Sequence, residues 1–185
     1  MIKRIQNSTK GFTLVEMLVA IGILAVLAAS LIAVMDPFTQ IKKGNDGRRK
    51  ADLNQIQKAL EVYYGDYKEY PYSIKSGNFY YLDPITSSSP SIVKTQKAWG
   101  ASWTPYMNII PKDTNSNKSY FYYSSDGQSY YLYASLDRGP KDPQSCSGDV
   151  CSVPPSSGVT LTGVGSACGS NANCDFGVSS PNVSP

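Results

Sequence analysis

The chain has 185 residues, with 17 Lys and Arg against 14 Asp and Glu, for a formal charge of +3. It contains no histidine, which excludes a Ser-His-Asp triad, a Cys-His dyad, a His general base and any His-ligated metal. The basic surplus is small and scattered, unlike the strong one-sided surplus of nucleic-acid proteins. Charged residues make up only 17% against about 25% in soluble proteins, so a non-enzymatic protein is the starting expectation.

In chain order the first segment is a short polar leader, residues 1–11, carrying Lys3, Arg4 and Lys10 and no acid. An apolar stretch follows from Phe12 to Met35, broken only by Thr13, Glu16 and Ser30. As a helix it would be roughly 36 Å long, enough for a hydrocarbon core of about 30 Å. Leu, Ile, Val and Ala occupy every face, so it needs lipid or a bundle of other helices around it. The leader's charges predict a cytoplasmic N-terminus and an extracytoplasmic remainder. A Sec signal would end in a small-residue cleavage site; Ala28-Ala29-Ser30 is a weak candidate, and more apolar residues follow it. Glu16 separates the segment from a plain anchor. A carboxylate in a membrane helix costs roughly 2.5–3.5 kcal/mol when central and less near an interface, and it usually marks a function. Gly22, Ala25, Ala28, Ala29 and Ala33 lie mostly three and four apart, a spacing that lets helices approach closely.

Lys10-Gly11-Phe12-Thr13-Leu14-Val15-Glu16 resembles the processing motif of type IV prepilins and the pseudopilins of type II secretion. The resemblance implies cleavage after Gly11 by a membrane prepilin peptidase and methylation of the new amino group on Phe12. Glu16 then becomes the fifth residue of the mature chain, where the family keeps its glutamate. The expected role of Glu16 is to pair with the Phe12 ammonium of a neighbouring subunit, because its own N-terminus lies about one helical turn away. The pairing would offset the desolvation of both charges.

Asp36-Pro37 is expected to interrupt the helix. The resemblance gives Pro37 a softening role, although relatives carry their proline about four residues earlier. Gly44 and Gly47 weaken the helix again, by roughly 1 kcal/mol each relative to Ala. Leu53, Ile56, Leu60, Tyr63 and Tyr67 then form one apolar stripe, with Asp52, Gln55, Lys58 and Glu61 facing elsewhere. The helix is expected to run to Pro71. Lys42, Lys43, Arg48, Arg49 and Lys50 read as a solvated face beside the membrane, within reach of acidic lipid or a neighbour's Asp36 or Asp46.

Residues 72–118 read as a long loop with short structured pieces such as Phe79 to Leu82, covered by Trp99 and Trp103. Aromatic strands at 119–124 and 129–135 flank Ser125-Asp126-Gly127-Gln128, a hairpin signal. A small antiparallel sheet with tyrosines on both faces should pack on the helix. All 14 tyrosines lie between Tyr63 and Tyr133; packing accounts for them, with sugar or surface binding as the other reading. The stretch Tyr133 to Asp137, followed by Asp142 and Asp149, is similar to the last strand and loop of major pseudopilins, which implies Asp137, Asp142 and Asp149 as oxygen ligands of a calcium ion. No other cofactor is expected.

Cys146, Cys151, Cys168 and Cys174 lie in a tail rich in Ser, Gly, Pro and Asn. Outside the cytoplasm disulfides are the leading reading. Three connectivities exist, with Cys146–Cys151 and Cys168–Cys174 preferred and a four-thiolate zinc site as the alternative. Residues 179–185 read as disordered.

The chain thus divides into leader 1–11, membrane or filament-core helix 12–35, amphipathic helix 36–71, globular part 72–142 and Cys-bearing tail 143–185. The fold class is α+β, a pilin-like long N-terminal helix on a small antiparallel sheet. The resemblance implies a structural, non-enzymatic filament subunit of a type IV pilus or a type II secretion pseudopilus. Its partners would be copies of itself, the prepilin peptidase, the membrane, and an inner-membrane assembly platform with its ATPase motor. The motor is a separate protein, since no phosphate-binding loop occurs here. A minor pilin acting in adhesion or DNA uptake and an unprocessed membrane-anchored domain are the alternatives. The +3 surplus is Lys3, Arg4 and Lys10, so loss of the leader leaves a chain of zero formal charge, and nucleic acid is not an expected partner.

Overall fold

The computed structural model describes residues 11–72, 75–76, 79–80, 97–148, 150–152, 158–165 and 167–185. The charges of the leader, Leu82, the run from Thr86 to Ser89, and Asp149 lie outside the described residues. Two compact units divide the chain, Met1–Gln40 and Ile41–Pro185.

The first unit holds α1, Leu14–Met35. Its apolar side chains are exposed, Phe12 at 84% and Val34 at 84% among them. Leu14–Ile32 is long and apolar enough to cross a membrane, with a mean hydropathy of 2.5. Asp36 ends α1 in the left-handed conformation, φ 38°, which Asp tolerates better than most residues. Pro37 is the first residue of α2, Pro37–Tyr67, a position whose N–H has no helical partner to lose. Thr39 Oγ1 donates to Asp36 Oδ2 at 2.6 Å. The proline therefore opens a second helix where an interrupted single helix was expected.

In the second unit Leu53, Ile56, Leu60 and Tyr63 of α2 are fully buried. Tyr67 departs from the expected stripe: it is 49% exposed, with its ring tilted against that of Tyr63 at a centroid distance of 4.6 Å. The helix ends there, short of Pro71, because Lys68 turns left-handed at φ 60° and its ammonium donates to Gly65 O at 2.9 Å. Asp52 and Glu61 do not simply face solvent. Tyr120 Oη donates to Asp52 at 2.7 Å, and Tyr70 and Tyr130 donate to Glu61 at 3.1 and 3.2 Å.

Strands β1, Lys75–Ser76, and β2, Phe79–Tyr80, form a short hairpin. The main sheet has the order β3-β4-β5, all antiparallel, with β3 at Phe121–Tyr123, β4 at Tyr131–Ala134 and β5 at Phe176–Ser179. The turn between β3 and β4 is held by Asp126 Oδ1, which accepts from Gln128 N at 2.9 Å and Ser129 N at 3.0 Å. Side chains alternate across the pleat. Tyr122, Tyr130, Leu132 and Ala134 join the core against α2, with Trp103 and Ile110. Phe121, Tyr123, Tyr131 and Tyr133 pack on the other face against Cys151, Leu161, Ala167, Cys168 and Cys174.

The tail is thus not a polar appendage. It supplies β5 and covers one face of the sheet. Disulfides join Cys146 to Cys151 and Cys168 to Cys174, which leaves no thiolate for zinc. The end of the chain is ordered by specific bonds: Ser180 N donates to Tyr130 O at 3.2 Å, and Tyr130 N donates back to Ser180 Oγ at 3.2 Å.

Candidate functional site

The Gly11–Phe12 bond lies in exposed, non-helical chain just before α1. The residue after it, Thr13, is extended. Thr13 is the N-cap: its Oγ1 accepts from Glu16 N at 3.2 Å. Glu16 answers with its Oε2, which accepts from Thr13 N at 2.8 Å and Thr13 Oγ1 at 2.9 Å. The pair is a capping box, in which two otherwise unpaired helix-terminal donors are satisfied reciprocally. The carboxylate therefore reaches back to within one residue of the Phe12 amide, closer to its own N-terminus than the sequence reading placed it. The signal was legible, since Thr-x-x-Glu before an apolar run is the capping-box pattern.

Beyond the cap, α1 presents a shallow apolar groove lined by Leu18, Val19, Gly22, Ile23, Val26 and Leu27. Gly22 opens it, and a Cβ there would meet nothing within 4 Å. The exposed faces of α1 can do one thing chemically, which is to leave water for lipid or for other apolar helices.

The basic cluster on α2 splits. Lys42, Lys43 and Arg48 are exposed. Arg49 is buried and lies among three carboxylates, with Nε 2.7 Å from Asp113 Oδ2, and Nη1 2.9 Å from Asp137 Oδ1 and 3.2 Å from Asp46 Oδ1. Burial works against its charge, but Asp113 and Asp137 outweigh that and raise its pKa further. Asp46 also accepts from Asp137 N at 2.6 Å and Arg138 N at 3.1 Å, so it is a buried intramolecular anchor. Lys50 pairs with Asp142. The sequence pattern predicts a solvated face, and burial of Arg49 and pairing of Lys50 correct that expectation for these two residues.

These contacts also decide how the aspartates implied as calcium ligands are used. Asp137 Oδ1 faces Arg49 and Lys118, and its Oδ2 accepts from Asn45 at 3.0 Å. Burial opposes ionisation of Asp137, yet the Lys118 and Asn45 hydrogen bonds and the Lys118 and Arg49 charges hold it at about 2. Asp142 Oδ1 faces Lys50 and Gln144 N, and its Oδ2 lies 3.6 Å from Arg138. Every carboxylate oxygen of the two already faces a donor or a cation. As placed, they do not fit calcium, and among the described residues no group of three or more His, Cys, Asp or Glu could hold a metal. Asp175 is the opposite case: burial pushes its carboxyl up to about 6, against the Leu136 N–H bond and the Lys118 charge.

Residues 6–32 match the family model described as the prokaryotic N-terminal methylation motif. The chain carries a prepilin-type cleavage and methylation signal. It is the signal of type IV pilins and pseudopilins, and it supports a pilin-like or pseudopilin precursor. The match covers Gly11, Phe12, Thr13 and Glu16 and most of α1. The signal implies processing by prepilin peptidase and filament assembly in general. The prepilin signal and the apolar α1 fit a membrane-anchored precursor that later enters a filament. The fold below it is α+β and pilin-like: a long apolar helix, a second helix and a three-stranded antiparallel sheet. No curated protein and no solved structure matches the chain.

Proposed function

We propose that the chain is a structural subunit of an extracytoplasmic helical filament, a type IV pilus or a type II secretion pseudopilus. It is cleaved after Gly11, methylated on Phe12, stored in the membrane through α1, and extracted by an assembly platform and its ATPase motor. The observation that carries this reading is the prepilin signal in register with a helix whose described side chains are all exposed. Such a surface is stable only in lipid or against like helices, and burial is worth about 25 cal/mol per Å². Two disulfides in the second unit suit an oxidising compartment outside the cytoplasm.

Glu16 has two partners in this scheme. In the single chain it caps its own helix through Thr13. In the filament it turns to the Phe12 ammonium of a neighbour. A cationic partner offsets the cost of a carboxylate in an apolar surrounding, which neutral Thr13 donors do only in part. The exchange favours docking in one register.

The test is mass spectrometry of the subunit from sheared surface filaments, with electron microscopy of the same preparation. The expected N-terminus is methylated Phe12. An intact Met1 on the assembled or membrane-held protein would sink the reading. Long surface fibres of this chain point to a pilus. Their absence together with a secretion defect on deletion points to a pseudopilus. Glu16→Gln, which keeps the length of the side chain and removes its charge, is expected to cut filament yield while the precursor accumulates normally.

A further inference from the structure

We infer that the Lys118 ammonium is a tethered cation filling an oxygen cradle at the end of β4, so that the loop over residues 136–144 holds its place without a free divalent ion. Lys118 Nζ lies 2.9 Å from Leu136 O, 3.2 Å from Ser135 O and 2.8 Å from Asp137 Oδ1. Two main-chain carbonyls and a carboxylate are the ligand types a hard cation takes. The carbonyls are free to converge because the ladder between β4 and β5 stops at Ala134 and Phe176.

The peptide unit joining Ser135 to Leu136 is gripped from both sides. Its C=O faces the ammonium, and its N–H donates to Asp175 Oδ1 at 2.7 Å. A positive charge at one end and a carboxylate at the other both polarise this bond in the favourable sense. The Lys118 backbone is itself fixed. It is bridged to Gly169, Ser119 N donates to Cys168 O at 3.0 Å, and Ser170 N donates to Asn117 O at 3.1 Å. Gly169 is required for that approach, because a Cβ there would lie 2.2 Å from Asn117 O. The ammonium is therefore carried to the cradle by a segment pinned to the loop that Cys168–Cys174 closes.

Arg49 and Lys50 complete the arrangement from α2 by pairing with Asp137 and Asp142. The carboxylates of this region are Asp46, Asp113, Asp137, Asp142 and Asp175, and the cations are Arg49, Lys50, Lys118 and Arg138. Asp137 and Asp142 of the 136–144 loop thus each have counter-ions attached to the chain, which leaves no opening for calcium at these two carboxylates. Loss of Lys118 would leave the carbonyls of Ser135 and Leu136 beside Asp137, with excess negative charge, and would create the opening that the native chain lacks.

The experiment uses the full chain in detergent micelles with its disulfides intact, melted in a chelator and in millimolar calcium chloride, with sodium chloride at matched ionic strength as control. Native Tm is expected to be the same in all three. Lys118→Met should melt about 4–10 °C lower in chelator and recover part of that loss in calcium chloride but not in the sodium control. Lys118→Arg, which keeps the charge, should remain indifferent to calcium. A native Tm that falls in chelator would overturn the inference, as would a Lys118→Met chain that melts like the native one. If Lys118→Met folds only with calcium, the inference stands; if it does not fold at all, the native and Lys118→Arg melts decide by the same criterion.

Discussion

Replacing Arg49 by Met should be among the most damaging single changes in the second unit. The side chain is 4% exposed and makes three ion pairs, of which the fork on Asp113 is the best formed, with Nε at 2.7 Å and Nη2 at 3.3 Å. Met keeps most of the buried stem, so packing changes little and the loss is electrostatic. Asp46 would keep the Asp137 and Arg138 amides, and Asp137 would keep Lys118 and Asn45. Among the described residues Asp113 would keep the Asn115 amide at 2.8 Å, with its side chain 1% exposed. Breaking a buried pair from one side costs about 3–5 kcal/mol, or a Tm drop of roughly 6–20 °C at this chain length. Near-UV circular dichroism of the full chain in micelles reads it, because the tyrosines lie in the second unit. Arg49→Met/Asp113→Asn removes the stranded charge and should recover about half of the loss. A loss below about 1 kcal/mol, the range of a surface ion pair, would refute the reasoning.

Asp175 gives a pH test. Burial raises its folded pKa to about 6, above the ordinary 3.8 of an aspartate, so the folded chain holds the proton more tightly. Stability from this group is fully present below pH 3.8, falls as pH rises through 6, and amounts to about 3 kcal/mol at most. Asp175→Asn keeps an oxygen for Leu136 N–H and should flatten the native chain's loss of Tm between pH 4 and 7; a slope that survives the substitution would place the titrating group elsewhere. Gly169→Ala should cost about 2–4 kcal/mol, because φ is +126° and the new Cβ would meet Asn117 O. A native Tm in that variant would show that the Lys118 segment tolerates a shifted contact with the Cys168–Cys174 loop.

Much of the fold was legible because its signals are local. The apolar run of α1, the spacing of Leu53, Ile56, Leu60 and Tyr63, and the Asp126-Gly127 turn each lie within a few residues. The α+β, pilin-like architecture followed from them. Strand β5 was not legible. Phe176-Gly177-Val178-Ser179 is short, contains a glycine, and pairs with residues more than forty positions earlier. Gly177 looks like a weak point in a strand, yet it is required there: a Cβ would lie 2.5 Å from Cδ1 of Tyr133, whose ring covers that position and whose hydroxyl donates to Ser152 O at 2.8 Å. The helix end was misplaced because Pro71 is a stronger sequence signal than Lys68, although the left-handed turn at Lys68 stops the helix first.

The charged cluster was hidden for a related reason. Asp46, Asp113, the Asp137–Asp142 pair and Asp175 are far apart in sequence, and a helix-period reading puts Arg49 and Lys50 among the polar residues by definition. Periodicity separates apolar from polar positions; it does not separate a solvated cation from one that fastens three segments together. In the Ile41–Pro185 unit the buried charges are paired internally, with α2 tied to the Asp113 segment and to the 136–144 loop by Arg49, Lys50 and Asp46. In the Met1–Gln40 unit the one charge inside the apolar segment, Glu16, has only its own cap to satisfy it. A chain whose folded unit balances its buried charges from within, and whose helix carries one carboxylate that its own neutral cap satisfies only in part, has its demand for a partner concentrated at Glu16. That asymmetry is why the prepilin signal and the assembly function point to the same few residues, and why Glu16→Gln is expected to spare the precursor while it impairs the filament.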